Sequence, residues 1–301
     1  MAAIGLTLDR TTNFLSGEKL VELVRTIERL GFESVWLLDA FGRDPFIAAG
    51  YILANTTTLK VGTGVATVYG RDPTAAVQAR ESLSEMYPGR FFMGLGASNP
   101  IVIAKRKAQW VAPLPKLQAY LQDMAEVRLA AIKPPLLAPI YIAAHGPALQ
   151  TLAVKHAKGI ITWLMPAKIV AEARAHVGEN LDITAEILCV LSSDAEEARV
   201  VARTYMAMYL ALPYYQSAFA RAGFDPKECL EGGGSDQLID SVLAWGSSQA
   251  IRERIEEFQN AGATRVVLNP LCMDPTQQGV NGGPSVIGDW NGLQQLAKAV
   301  F

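Results

Sequence analysis

The side chains best placed for chemistry fall just after short apolar runs. Asp39 follows the run Ser34 to Leu38. A carboxylate at the rim of an apolar mouth suits proton transfer or a hydrogen bond to a substrate, and it would equally cap the turn over residues 40–45. His145 follows Ile140 to Ala143 and stands beside Gly146-Pro147. An imidazole there could meet a phosphate or a ring carbonyl, or serve as a satisfied structural histidine. Trp163 lies near the end of Ile160 to Leu164, where it could stack on a flat ring or fill the rim, and Tyr69, Trp110, Tyr214 and Tyr215 carry the same two readings. Gly62, Gly64, Gly94 and Gly96 sit at strand ends, where a missing Cβ admits a ring or a phosphate to the backbone. No GxSxG, HExxH or P-loop string occurs, and the stretch Gly94 to Asn99 lacks the third glycine of a dinucleotide fingerprint.

Composition narrows the classes. The chain has 301 residues, 50% hydrophobic and 19% charged, with 8% aromatic. It can therefore bury a large core without disulfide or metal staples. A net charge of −2, with only Lys105, Arg106 and Lys107 as a basic run, argues against a nucleic-acid or membrane-surface binder. Cys189, Cys229 and Cys272 are far apart, without CxxC or Cys/His spacing, and read as reduced structural thiols, so no metal site is expected. The first eight residues carry no basic n-region, and the uncharged stretch 134–154 holds four prolines. A cytoplasmic chain with no membrane span is the expectation.

The elements that must position those residues alternate. Strands are expected at 3–8, 34–38, 59–65, 91–95, 140–143, 160–164, 185–191 and 265–268, from short apolar runs. Helices are expected at 18–30, 45–54, 73–86, 116–131, 147–157, 168–176, 195–210 and 248–261, from apolar residues at helical spacing. Eight strand–helix repeats favour closure into a (β/α)8 TIM barrel over an open doubly wound sheet. Residues 211–245, with Pro213, Pro226 and Gly232 to Gly234, break the rhythm and read as a helical insertion with a flexible loop, placed before the last strand. Asp44-Pro45, Asp72-Pro73 and Gly146-Pro147 each start a helix just after a strand, so their N-termini ring the C-terminal face and offer N–H groups to an anion.

Glu28 to Asp39, Leu59 to Val65 with Arg71-Asp72-Pro73, Tyr87 to Gly96, and Ile142 to Pro147 together resemble the luciferase-like monooxygenase superfamily. Tyr209 to Tyr215, Gly234 to Asp236 and Val242 to Gly246 are similar to its coenzyme F420-dependent oxidoreductase subfamily. The resemblance implies a single barrel domain over 1–301, a homodimer, coenzyme F420 (or, alternatively, FMN) at the C-terminal mouth, and hydride transfer. It implies a non-prolyl cis peptide at Gly64-Val65, followed by Ala66, backing the cofactor ring. It places Gly96, Ala97 and Ser98 alongside the cofactor, and Ala144, His145 and Gly146 near ring and phosphate. Asp39 matches the rim acid. Ala40 stands where many relatives carry histidine, and Asn99 where they carry an acid or histidine, which leaves Asp39 as the main acid or base and Asn99 as a neutral hydrogen-bond partner. A two-component FMN monooxygenase and a non-catalytic flavin-binding barrel are the competing readings.

Overall fold

The computed structural model describes residues 3–278 and 284–301. In chain order the strands are β1 (Ala3–Leu8), β2 (Ser34–Leu37), β3 (Lys60–Thr63), β4 (Ala66–Thr67), β5 (Phe91–Gly96), β6 (Ile140–Ala143), β7 (Gly159–Trp163), β8 (Asp182–Val190), β9 (Leu243–Trp245), β10 (Arg265–Gln278) and β11 (Pro284–Gly288). The helices are α1 (Gly17–Arg29), α2 (Pro45–Ala54), α3 (Pro73–Met86), α4 (Pro100–Lys105), α5 (Pro113–Glu126), α6 (Pro147–His156), α7 (Ala167–Val177), α8 (Ala195–Leu210), α9 (Pro213–Ala222), α10 (Asp236–Asp240), α11 (Ser248–Asn260) and α12 (Leu293–Val300). Strands β1, β2, β3, β5, β6, β7, β8 and β10 pair in parallel around a ring, which β10 closes by pairing with both β8 and β1. This is the expected (β/α)8 barrel.

Local chemistry accounts for most of the elements. Ser16 accepts from the Lys19 amide to start α1, whose Leu20, Val24 and Ile27 form one buried stripe. Inside the ring, Trp36, Phe92, Tyr141, Ile161 and Val267 fill the barrel as one apolar cluster. The Arg265 guanidinium lies 4.7 Å from the Phe92 ring centroid and pairs with Glu33 at 2.8 Å, so the charge that enters the barrel is matched.

Four departures from the expected elements have physical causes. The helix expected over 116–131 runs instead from Pro113 to Glu126, because prolines in a first turn replace amides that would have no partner anyway. Asn99 caps the short helix α4, which falls inside a connection with no expected helix. Strand β10 continues past Leu268 and turns back antiparallel against β11. The segment 211–245 is less of a loop than expected: α9, two 3-10 turns, α10 and β9 fill it, and β9 pairs with β8 at Leu188–Leu243. Leu212, Tyr215, Phe219, Leu238, Ile239 and Val242 build a second apolar core there with Leu164, Met165 and Leu188. The three cysteines are unpaired. Among the described residues no helix is long and apolar enough to cross a membrane.

Candidate active site

The C-terminal ends of the barrel strands bring together residues from β3, β5, β6 and β7. After β3 the Gly64–Val65 peptide is cis, and the Gly64 amide donates to the Leu37 carbonyl at 2.7 Å. A Cβ on Gly96 would stand 2.5 Å from Val65 Cγ2, and one on Gly64 would stand 3.4 Å from the Trp163 ring. Gly64, Val65, Gly96 and Trp163 thus share one wall of the mouth. Ala66, Ala97 and Ala144 direct their methyl groups into the main apolar core, so these three can offer a ligand only their backbone. Ser98 (φ 60°) and Leu164 (φ 53°), just past β5 and β7, hold the left-handed conformation. It costs a non-glycine residue about 1–3 kcal/mol and clusters where a site dictates backbone shape.

His145 enters this mouth uncharged. Its Nε2 accepts from the Trp163 amide at 3.3 Å, and its ring lies 5.2 Å from Tyr215, edge-on, and 6.1 Å from Tyr214. Burial first, and the nearby Arg221 charge second, push its pKa down to about 4. At neutral pH the proton is therefore on Nδ1, and the imidazole is a neutral donor, not a cation facing phosphate. The cation at this place is Arg221, whose Nη2 donates to the His145 carbonyl. Tyr205, Tyr209, Tyr215 and Tyr214 follow in ring contact from α8 to α9, and Tyr215 donates to the Trp163 carbonyl at 3.3 Å. These tyrosines roof the mouth at the ends of β6 and β7, with Tyr215 buried and Tyr214 43% exposed.

The three helix starts are not equivalent. Asp44 accepts from the Phe46 and Ile47 amides, and Asp72 from Ala75, so α2 and α3 fill their own N-termini with carboxylates. Gly146 caps α6 without any side-chain bond, and a Cβ on it would meet nothing within 4 Å. Of the three starts read as anion sites, α6 alone keeps both the free amides and the room.

Asp39 and Asn99 are otherwise engaged. Asp39 Oδ1 pairs with Arg106 at 2.7 Å and Oδ2 accepts from the Thr67 amide at 2.9 Å. The carboxylate lines a side cavity of about 190 Å³ with Arg43, Asp44, Arg71 and Arg106. That is smaller than the roughly 300–1,000 Å³ of ligand pockets, too small for a three-ring cofactor. Arg106 and the Thr67 amide thus hold both oxygens of the carboxylate that the sequence suggested as an acid or base. Its replacement by alanine is expected to cost about 1.5–3 kcal/mol of stability, because Arg106 loses its charged partner. Denaturant melts check this, and an unchanged midpoint would show that the pair holds nothing. Asn99 Oδ1 accepts from the Val102 amide at 3.0 Å, which leaves only its amide NH2 free for a ligand.

Glu186, not singled out from the sequence, is the carboxyl that the site isolates. It sits on β8 level with Trp163 and with Val267, and it is 1% exposed. Oε1 accepts from Asn269 Nδ2 at 3.3 Å, and the same amide donates to the Tyr205 hydroxyl at 3.0 Å. Glu186 Oε2 and Asn269 Oδ1 are buried without a partner, and the buried Thr7 hydroxyl faces Glu186. Burial raises the Glu186 pKa well above the carboxylate range, and Thr7 and Asn269 only partly oppose it. Burial thus favours the protonated form of the side chain, with the Asn269 Oδ1 acceptor unfilled beside it. The available signal was a lone charged residue in the mostly apolar stretch Ile183 to Val190.

With this geometry in place, comparison with known proteins gives a consistent picture. Residues 5–265 match the family model described as luciferase-like monooxygenase. The 5,10-methylenetetrahydromethanopterin reductase of Methanolobus tindarius is 23% identical over 291 residues, which cover 83% of this chain and 89% of that protein. A solved F420-dependent secondary alcohol dehydrogenase superposes with a TM-score of 0.74 at 18% identity, covering 100% of this chain and 99% of its own. An EDTA monooxygenase from Chelativorans sp. gives 0.72 at 14% identity, covering 99% and 92%. The two solved structures share the fold, and the family match spans the barrel from β1 to the start of β10. The chain belongs to the luciferase-like monooxygenase family.

Proposed function

We propose that this protein is an oxidoreductase that transfers a hydride between the deazaflavin coenzyme F420 and a small organic carbonyl, alcohol or activated alkene. The observation that carries the reading is the pairing of an open α6 N-terminus at Gly146 with the Gly64–Val65 wall across the same mouth. The similarity to a putative coenzyme F420-dependent oxidoreductase of Mycobacterium tuberculosis, 23% identical over 82% of this chain and 89% of that protein, supports the choice of cofactor. The residues present fit such a group. The α6 amides and the space at Gly146 would hold a phosphate, and Val65, Gly96 and Trp163 would flank a flat ring. Neutral His145 would donate from Nδ1. When bound, the coenzyme supplies or accepts the hydride at a ring carbon.

The chain's own residues would do the rest. The tyrosine roof excludes water, so polar contacts inside the mouth gain strength. Glu186 would hold the proton that follows the hydride: a carbonyl oxygen gaining negative charge takes it from Oε2, and an alcohol being oxidised returns it. Asn269 orients that carboxyl through its Nδ2. The chain is further read as one domain over 1–301, active as a homodimer, which light scattering tests.

Fluorescence titration of the purified protein with coenzyme F420 and with FMN tests the cofactor. Micromolar F420 binding, with FMN weaker by about tenfold or more, supports the proposal. Preference for FMN would move the protein to the two-component monooxygenases, and binding of neither would sink both. Gly146→Asp places a carboxylate at the α6 N-terminus without a clash and is expected to weaken coenzyme binding by about tenfold or more. Unchanged affinity would remove α6 from the site.

A further inference from the structure

The N-terminal end of the barrel, away from the mouth, holds a cavity of about 310 Å³. It opens between α3, α5 and α6 at the start of β6, and its size reaches the range of ligand pockets. Leu121, Met124 and Ile140 give it an apolar wall, while Arg80, His156 and Lys158 are its charged or titratable lining. No acidic side chain is among the described residues that line it.

Arg80 is the residue that needs explaining. It is half-buried, and its Nε donates to the Ala138 carbonyl at 2.7 Å. Among the described residues it forms no ion pair, and the adjacent Glu81 is taken by Lys133 at 3.5 Å. Burial pulls its pKa down to about 10, with Glu81 opposing the shift. A guanidinium that has lost water without gaining a counter-ion is costly, and an arriving anion relieves that cost. Among the described residues Lys158, on the same rim, spends its ammonium only on the Asn180 carbonyl at 3.4 Å. Two under-used cations above an apolar wall are complementary to a molecule with one anionic head and an apolar body.

We propose that this cavity binds a small amphipathic monoanion, its head on Arg80 and Lys158 and its apolar part against Leu121, Met124 and Ile140. The site is independent of the cofactor reading, since it lies at the opposite end of β6 from His145.

Calorimetric titration of the full chain with sodium octanoate, and with 1-octanol as the uncharged control, tests it. Octanoate is expected to bind saturably at one site and to raise the melting temperature, with octanol weaker by about tenfold or more. Arg80→Met, and separately Lys158→Met at an exposed position that cannot threaten folding, should each weaken octanoate by about tenfold. Gly146→Asp, at the mouth, should leave octanoate binding as it was. The proposal is overturned if octanoate does not bind, if octanol binds as tightly, if neither rim substitution matters, or if Gly146→Asp abolishes binding.

Discussion

Replacing Glu186 by glutamine is expected to lower turnover by about 100-fold or more while leaving coenzyme affinity unchanged. Glutamine reproduces the shape of the protonated acid and can still bond Asn269, but it has no proton to transfer. The same substitution has a second readout that needs no substrate. Because burial raises the Glu186 pKa in the folded protein, the native state holds a proton that the unfolded chain releases near the ordinary carboxylate value. Stability from this group is complete below that value and declines as pH climbs toward the raised native pKa. The glutamine variant escapes that decline, so its melting temperature should gain on the wild type as pH increases above the carboxylate range. Any protonated-carboxyl stretch that persists in the wild-type infrared spectrum above the ordinary carboxylate range should also vanish in the variant. Wild-type turnover in Glu186→Gln would remove the residue from the chemistry, and a pH-independent difference in melting would show that the carboxyl is ionised.

Gly94→Ala is expected to cost more than about 4 kcal/mol or to abolish soluble expression. A Cβ at this position would stand 1.9 Å from the Thr63 carbonyl oxygen and 2.8 Å from Ile161 Cδ1, whereas real Cβ contacts essentially never fall under 3.0 Å. The obstacle is backbone in the neighbouring strand, so no side-chain rotation relieves it. The Thr63 hydroxyl ties the two strands further by donating to the Gly94 carbonyl at 2.7 Å. Gly146→Ala is the control: its Cβ enters open space, and its cost should stay well under about 1 kcal/mol. Equal melting of the two variants would mean that β3 and β5 can move apart, contrary to a rigid wall at the mouth.

The sequence was a good guide wherever the deciding interactions are local. Alternation of short apolar runs with helical spacing placed all eight barrel strands, because burial on both faces makes a parallel strand apolar throughout. Asp44-Pro45 and Asp72-Pro73 marked the starts of α2 and α3 to the residue, since a cap bonds amides two or three positions ahead. The cis peptide at Gly64–Val65 came from resemblance alone, as no spacing rule announces it. Prolines at 113 and 115 misled the placement of α5, because the same residue breaks a helix interior and begins a helix well.

Partners distant in sequence are a different matter. Asp39 reads as a free rim acid until Arg106, 67 residues away, closes on it. His145 reads as a phosphate ligand until the roof buries it and Arg221, 76 residues on, sets its charge state. Glu186 reads as one polar residue in a strand until β10 sets Asn269 beside it and removes water from both. Sequence by itself determined the strands, the helix starts and the family to which they belong. Tertiary structure alone decided which carboxyl is paired with a guanidinium and which is isolated by burial, which histidine is neutral and which helix end is open. Proton affinity depends on the solvent and charges within a few ångströms, and only folding determines what those are.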